Sequence, residues 1–141
     1  MPRGGLARLG AGALGAALAA LALPRLSLWP LGWFGLVPLF LALNEARSRR
    51  EAAAIGLAAG FVFHVVVLHW IYATCRFARM PAPVGALALA ALAGVLALNW
   101  ALSGFLGRRL AEKFPRVIRP FLWAAAWTAV AATTERWTPR L

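Results

Sequence analysis

Two histidines stand out as residues able to do chemistry. His64 and His69 lie within Gly56–Tyr72 (GLAAGFVFHVVVLHWIY), a run with no Asp, Glu, Lys or Arg. Ionisable side chains in such a run are candidates for function, because apolar surroundings make them costly to keep. Five residues separate them. At 100° per residue that puts them about 140° apart on a helix, on different faces. They therefore cannot form the i, i+4 pair that a zinc site on one helix uses. The plainer reading is a His64 hydrogen-bonded inside a helix bundle and a His69 at its edge. Cys75 is the single cysteine, which excludes an internal disulfide and a multi-cysteine metal site. Arg76 and Arg79 would favour its thiolate, but a nucleophilic role would need a base as well, and the plainer reading is an incidental small residue.

Other polar or aromatic residues invite both a functional and a structural reading. Trp70, Ile71 and Tyr72 end the apolar run and Arg76 follows. They suit an aromatic belt at a membrane–water interface, and they would equally suit the wall of an acyl-chain entrance. Asn99 reads as a hydrogen-bonding residue between helices. Glu135 falls near the end of an apolar segment, beside Arg136. Adjacent residues do not face each other on a helix, so Glu135 is expected to bond to another helix or to reach water. No Ser/His/Asp set, paired carboxylates, glycine-rich phosphate loop or metal cluster can be assembled, and no cofactor is implied.

The elements that must position these residues are membrane spans. The chain has 141 residues, 62% hydrophobic and 13% charged, with mean hydropathy +0.75. Soluble domains carry about 25% charged residues. A chain this apolar and this short cannot hide its surface from water as a globule. Its net charge of +11 lies in short clusters between apolar blocks. That is the pattern of a membrane protein facing anionic headgroups, and it argues against nucleic-acid binding.

The expected fold is an all-α integral membrane bundle of about five helices, spanning 9–23, 31–43, 52–73, 84–106 and 121–137. The first run also fits a cleaved signal peptide. Its small residues at helical spacing (Gly12, Gly15, Ala16, Ala19, Ala20) fit a packed span better. Pro24 should end it, Trp29 and Trp33 suit the headgroup level, and Pro38 should kink the second span. Gly56-x-x-x-Gly60 is a helix-contact motif that arises easily by chance in Ala/Gly-rich segments. The amino-terminal lead and the 44–51 and 107–120 loops hold ten of the fifteen Lys and Arg residues. These segments are expected in the cytoplasm, which puts the amino terminus inside and the carboxyl terminus in the periplasm. No internal repeat or inverted pair of broken helices suggests a transporter.

Three stretches, in this order, resemble the amino-terminal membrane region of apolipoprotein N-acyltransferase. They are Leu26–Leu43 (LSLWPLGWFGLVPLFLAL), Gly60–Tyr72 with its WIY ending, and Pro120–Trp137 (PFLWAAAWTAVAATTERW). The resemblance covers nearly the whole chain. It implies a bacterial inner-membrane protein acting on phospholipid and on lipoproteins. The family moves an acyl chain from phospholipid to a cysteine thiol, then to the amino group of a lipoprotein's terminal cysteine. A nitrilase-like domain with a Glu-Lys-Cys triad does the chemistry. This sequence reaches Leu141 before the family's "FPW" stretch, and none of the triad carries over. The resemblance thus implies a module inactive alone, needing a separate or missing nitrilase-like domain. Trp70, Ile71, Tyr72 and Glu135 transfer only as scaffold or acyl-access positions. The alternative is a small non-catalytic membrane subunit of an assembly or transporter.

Overall fold

The computed structural model describes residues 3–22, 34–115 and 118–137, and every regular element among them is a helix. These are α1 (Arg3–Leu21), α2 (Val37–Glu45), α3 (Arg49–Val67), α4 (His69–Phe77), α5 (Ala82–Ala111) and α6 (Arg119–Trp137). Three helices are long and apolar enough to cross a membrane: Gly4–Leu21, Arg49–Val67 and Ala82–Ala111. Phe121–Val130 of α6 is a shorter apolar stretch. The expected turn at 24–30, with Trp29, and the first residues of the second span, with Trp33, lie outside the described residues.

Pro38 does not kink a span. It stands in the first turn of α2. Backbone N–H groups there have no intrahelical partner, so a proline removes nothing. The α2–α3 connection is short because a cap closes it. Ser48 Oγ accepts the Glu51 N–H at 3.1 Å. The Glu51 carboxylate accepts the Arg47 N–H at 2.7 Å and Arg8 from α1 at 2.6 Å. One carboxylate thus fixes the start of α3, the loop before it and the position of α1.

α3 is the hub, packed between α1 and α5. Its small residues face their neighbours. A Cβ on Gly56 would strike the Trp100 carbonyl, and one on Gly60 would come within 2.7 Å of Trp100 Cβ. From α5, a Cβ on Gly104 would lie 2.5 Å from the Ala52 carbonyl oxygen. Gly56-x-x-x-Gly60 is therefore a true contact surface here, with Ala52 continuing its row. α1 approaches the same way: a Cβ on Gly12 would meet Ile55 at 2.8 Å, and one on Gly15 would meet the α2 backbone at 2.9 Å. The buried core is accordingly rich in alanine, with Ile55, Leu39, Leu43, Trp100 and Trp123 as its large members. Leu87, Val95 and Leu98 of α5 and Phe121 of α6 stay exposed, as lipid-facing residues do.

The expected span over 52–73 is divided. The helix breaks at Leu68, where φ is −94° and ψ is 9°. His69 Nδ1 donates to the Val66 carbonyl at 2.8 Å. That carbonyl would ordinarily serve Trp70, so a side chain has entered the backbone ladder. The next turn tightens, with Ile71 N–H bonded to Leu68 O at 2.9 Å.

α4 ends in a two-bond cap. Arg79 N–H bonds Arg76 O and Met80 N–H bonds Cys75 O, both at 3.0 Å. This motif puts its penultimate residue in the left-handed region, usually a glycine. Here it is Arg79, with φ 58°. Substituting Arg79→Gly should relieve that cost and raise stability by about 0.5–1 kcal/mol, read as a higher melting temperature in detergent.

At the other end of the bundle, Arg49 grips Glu112 with Nη2 to Oε2 at 2.5 Å. The hydrogen bonds from Arg49 hold the Glu112 carboxyl below its ordinary pKa, against a smaller opposing effect of burial. A lowered carboxyl pKa stabilises the fold at neutral pH, and the benefit fades as pH falls through that lowered value. The pair is exposed, so its contribution is small.

Candidate functional site

Trp100 on α5 is where the small face of α3 meets the large residues of α6. Its backbone lies on Gly56 and its Cβ over Gly60. Its ring meets Trp127 edge-on at 4.5 Å, tilts against Phe63 at 5.1 Å and faces His64 at 6.1 Å. Glycines on one side and aromatics on the other leave space between α2, α3, α5 and α6. The result is an apolar cavity of about 320 Å³, lined by Leu36, Leu39, Phe40, Phe63, Trp100, Trp123 and Trp127 among others. This lies at the lower end of the ~300–1,000 Å³ typical of small-molecule pockets.

Three of the polar groups around the cavity are hydrogen-bonded within the protein. Ser103 Oγ donates to Asn99 O and Thr128 Oγ to Ala124 O, both at 2.9 Å. Trp123 Nε1–H donates to Asn44 Oδ1 at 3.2 Å, joining α6 to α2. The Trp123 ring also fills the space over Gly107, where a Cβ would collide with it. Trp123→Phe deletes the donor and shrinks the buried indole to a phenyl ring. It should cost about 1–3 kcal/mol, and the double variant with Asn44→Leu should cost less than the sum of the two, as a double-mutant thermal series would show. What the cavity offers is an apolar, aromatic-walled slot. It suits a hydrocarbon chain.

A second cavity of about 160 Å³ adjoins it through the shared walls Trp100, Ser103 and Trp127. His64 and Asn99 both line this smaller space, so the structure brings two of the expected polar positions together. His64 Nδ1 is 2.7 Å from its own helix's Gly60 carbonyl and so donates to it. Among the described residues Asn99 makes no side-chain hydrogen bond to another helix. The interhelical amide is Asn44, which the sequence places at the edge of a loop.

The aromatic end of the run sits elsewhere. Trp70 is 51% exposed and Tyr72 37%, and neither they nor Ile71 line either cavity. Tyr72 and Cys75 pack beside Gly85 at the start of α5. Arg76 is exposed and donates to the Met80 carbonyl at 3.0 Å, inside the α4 cap. The backbone of Glu135 belongs to α6, while its side chain lies outside the described residues. Among the described residues no group of three His, Cys, Asp or Glu side chains comes together.

The tryptophan-lined cavity itself escaped the sequence reading. Its one visible signal was Trp123 and Trp127 at i, i+4, opposite a glycine-rich partner helix.

Comparison with curated proteins finds no match. A family model, that of the apolipoprotein N-acyltransferase N-terminal domain, matches residues 15–138. That match takes in the end of α1, every later helix described here, the glycine contacts of α3 and both cavities, and on it the chain belongs to the apolipoprotein N-acyltransferase N-terminal domain family.

Proposed function

We propose that this chain is the membrane module of an apolipoprotein N-acyltransferase-like protein of the bacterial inner membrane. In this reading it anchors the enzyme and holds an acyl chain of the phospholipid donor. The transfer to the amino-terminal cysteine of a lipoprotein belongs to a nitrilase-like domain, and no residue here forms part of that triad. The observation that carries the reading is the family match over residues 15–138. The cavity supports the acyl-chain role, because it is apolar and walled by aromatic and aliphatic side chains. Trp70, Ile71, Tyr72 and Arg76 then serve at the outer interface, with the amino terminus cytoplasmic and the carboxyl terminus periplasmic. Exposed aromatics beside a helix cap suit that level of the bilayer.

The test is complementation. The chain is co-expressed with a nitrilase-like domain in cells depleted of the endogenous acyltransferase, and N-acylated lipoprotein is quantified. Recovery of the product supports the module. Absence of product with both partners present in the membrane counts against it.

A further inference from the structure

The opposite end of the bundle from the WIY cluster carries a cleft that the acyl-transfer reading does not use. Its volume is about 670 Å³, and its walls include Arg8, Asn44, Glu45, Arg47, Arg108 and Arg119. Four arginines converge there from four places in the sequence: the start of α1, the α2–α3 connection, the end of α5 and the start of α6. Arg8 is paired with Glu51, and Glu45 offsets one further charge. A net positive cleft remains. Arg108 also lies near enough to Glu112 to lower that carboxyl's pKa. Yet the Nε–H groups of both Arg108 and Arg119 are buried and meet no acceptor among the described residues. Such donors are costly to leave unmade, more so on a charged group. The start of α6 adds the positive end of a 19-residue helix to the same place.

Depth decides what can supply the acceptor. Helix α5 runs 30 residues. At ~1.5 Å per residue that is about 45 Å, against a hydrocarbon layer of about 30 Å. Counted from its first turn, Arg108 falls about 6–9 Å past the hydrocarbon, at the level of lipid phosphates. Arginine forks bind phosphate oxygens with paired hydrogen bonds, and basic pockets between spans hold anionic headgroups. The geometry points to a binding site for the phosphate of an anionic glycerophospholipid in this cleft, with Arg108 and Arg119 as its ligands. The site is structural or regulatory, separate from the acyl-chain cavity, and it does not depend on the acyltransferase reading.

The test uses the full chain in non-ionic detergent, titrated with phosphatidylglycerol or phosphatidylcholine and read by native mass spectrometry. Phosphatidylglycerol should bind at least tenfold more tightly. The pair R108Q/R119Q should bring the two lipids within about twofold. The charge-matched pair R109Q/K113Q, on exposed residues, should keep the preference. Equal binding of the two lipids by the wild-type chain overturns the site, as does equal loss in both variant pairs. Phenylglyoxal footprinting of the wild-type chain gives a reading that needs no variant to fold. Phosphatidylglycerol should slow modification of Arg108 and Arg119 at least fivefold and leave Arg109 unchanged. No protection overturns the proposal, and protection by inorganic phosphate equal to that by the lipid overturns the lipid as ligand.

Discussion

Gly56→Leu is expected to destabilise the bundle by about 3 kcal/mol, the upper end of the usual cost of overpacking. The reason is what the new side chain would meet. At Gly56 the obstruction is the Trp100 carbonyl and the Ala101 Cα, both backbone, on a helix that cannot move aside alone. Separating α3 from α5 to admit the leucine would also lift Trp100 off Gly60 and the Gly104 backbone off Ala52. Interhelical attraction in lipid comes from close packing, since lipid tails are as apolar as the side chains. A lost contact is therefore not replaced by a hydrophobic gain. Gly94 supplies the contrast, because nothing lies within 4 Å of the position a Cβ would take. Gly94→Ala should stabilise by about 0.5–1 kcal/mol through helix propensity alone. Melting temperatures of the two variants in one detergent should move in opposite directions. Similar destabilisation by both would mean that α3 and α5 do not pack through this glycine row.

Trp100→Ala should be the most damaging single truncation, costing about 3–5 kcal/mol as buried tryptophans do. The side chain is 7% exposed and meets Phe63, His64 and Trp127. It also forms a wall of both cavities, so its loss would merge them into one larger space. A chain lying in the slot would then lose its aromatic wall and meet His64 and Asn99. Trp127→Ala, with a ring 42% exposed, should cost less than half as much. Thermal unfolding of the two variants, with helix content checked by circular dichroism, separates them.

The class of the fold was legible in the sequence because it rests on composition and period. Runs without charge, ended by arginine clusters, have few solutions other than membrane helices. Gly56 and Gly60 also read as a helix-contact motif, but nothing in the sequence named α5 as the partner. Three features were not legible, each for its own physical reason. Pro38 reads as a kink inside a hydrophobic run, but the helix begins only at Val37, so the proline sits in the first turn. The break at Leu68 depends on the His69 ring capturing the Val66 carbonyl, which no spacing rule reports. The cavity needs Trp100, Trp123 and Trp127 from two helices and Leu39 and Phe40 from a third. A hydrophobic pattern shows which residues avoid water and not which of them leave a gap. The same holds for the basic cleft. Its arginines appear in sequence as three loop clusters that set orientation, and only the fold brings four of them around one space.

Photolabelling bears most directly on the central claim. A phospholipid carrying a diazirine near the end of one acyl chain would be incorporated with the chain into nanodiscs, irradiated, and its adducts mapped by peptide mass spectrometry. The account predicts adducts on cavity residues, chiefly Trp100, Trp123 and Phe40, that disappear in a variant whose slot is filled by Ser103→Leu. Adducts confined to the lipid-facing residues Leu87, Val95, Leu98 and Phe121, and unchanged in the filled variant, would contradict it.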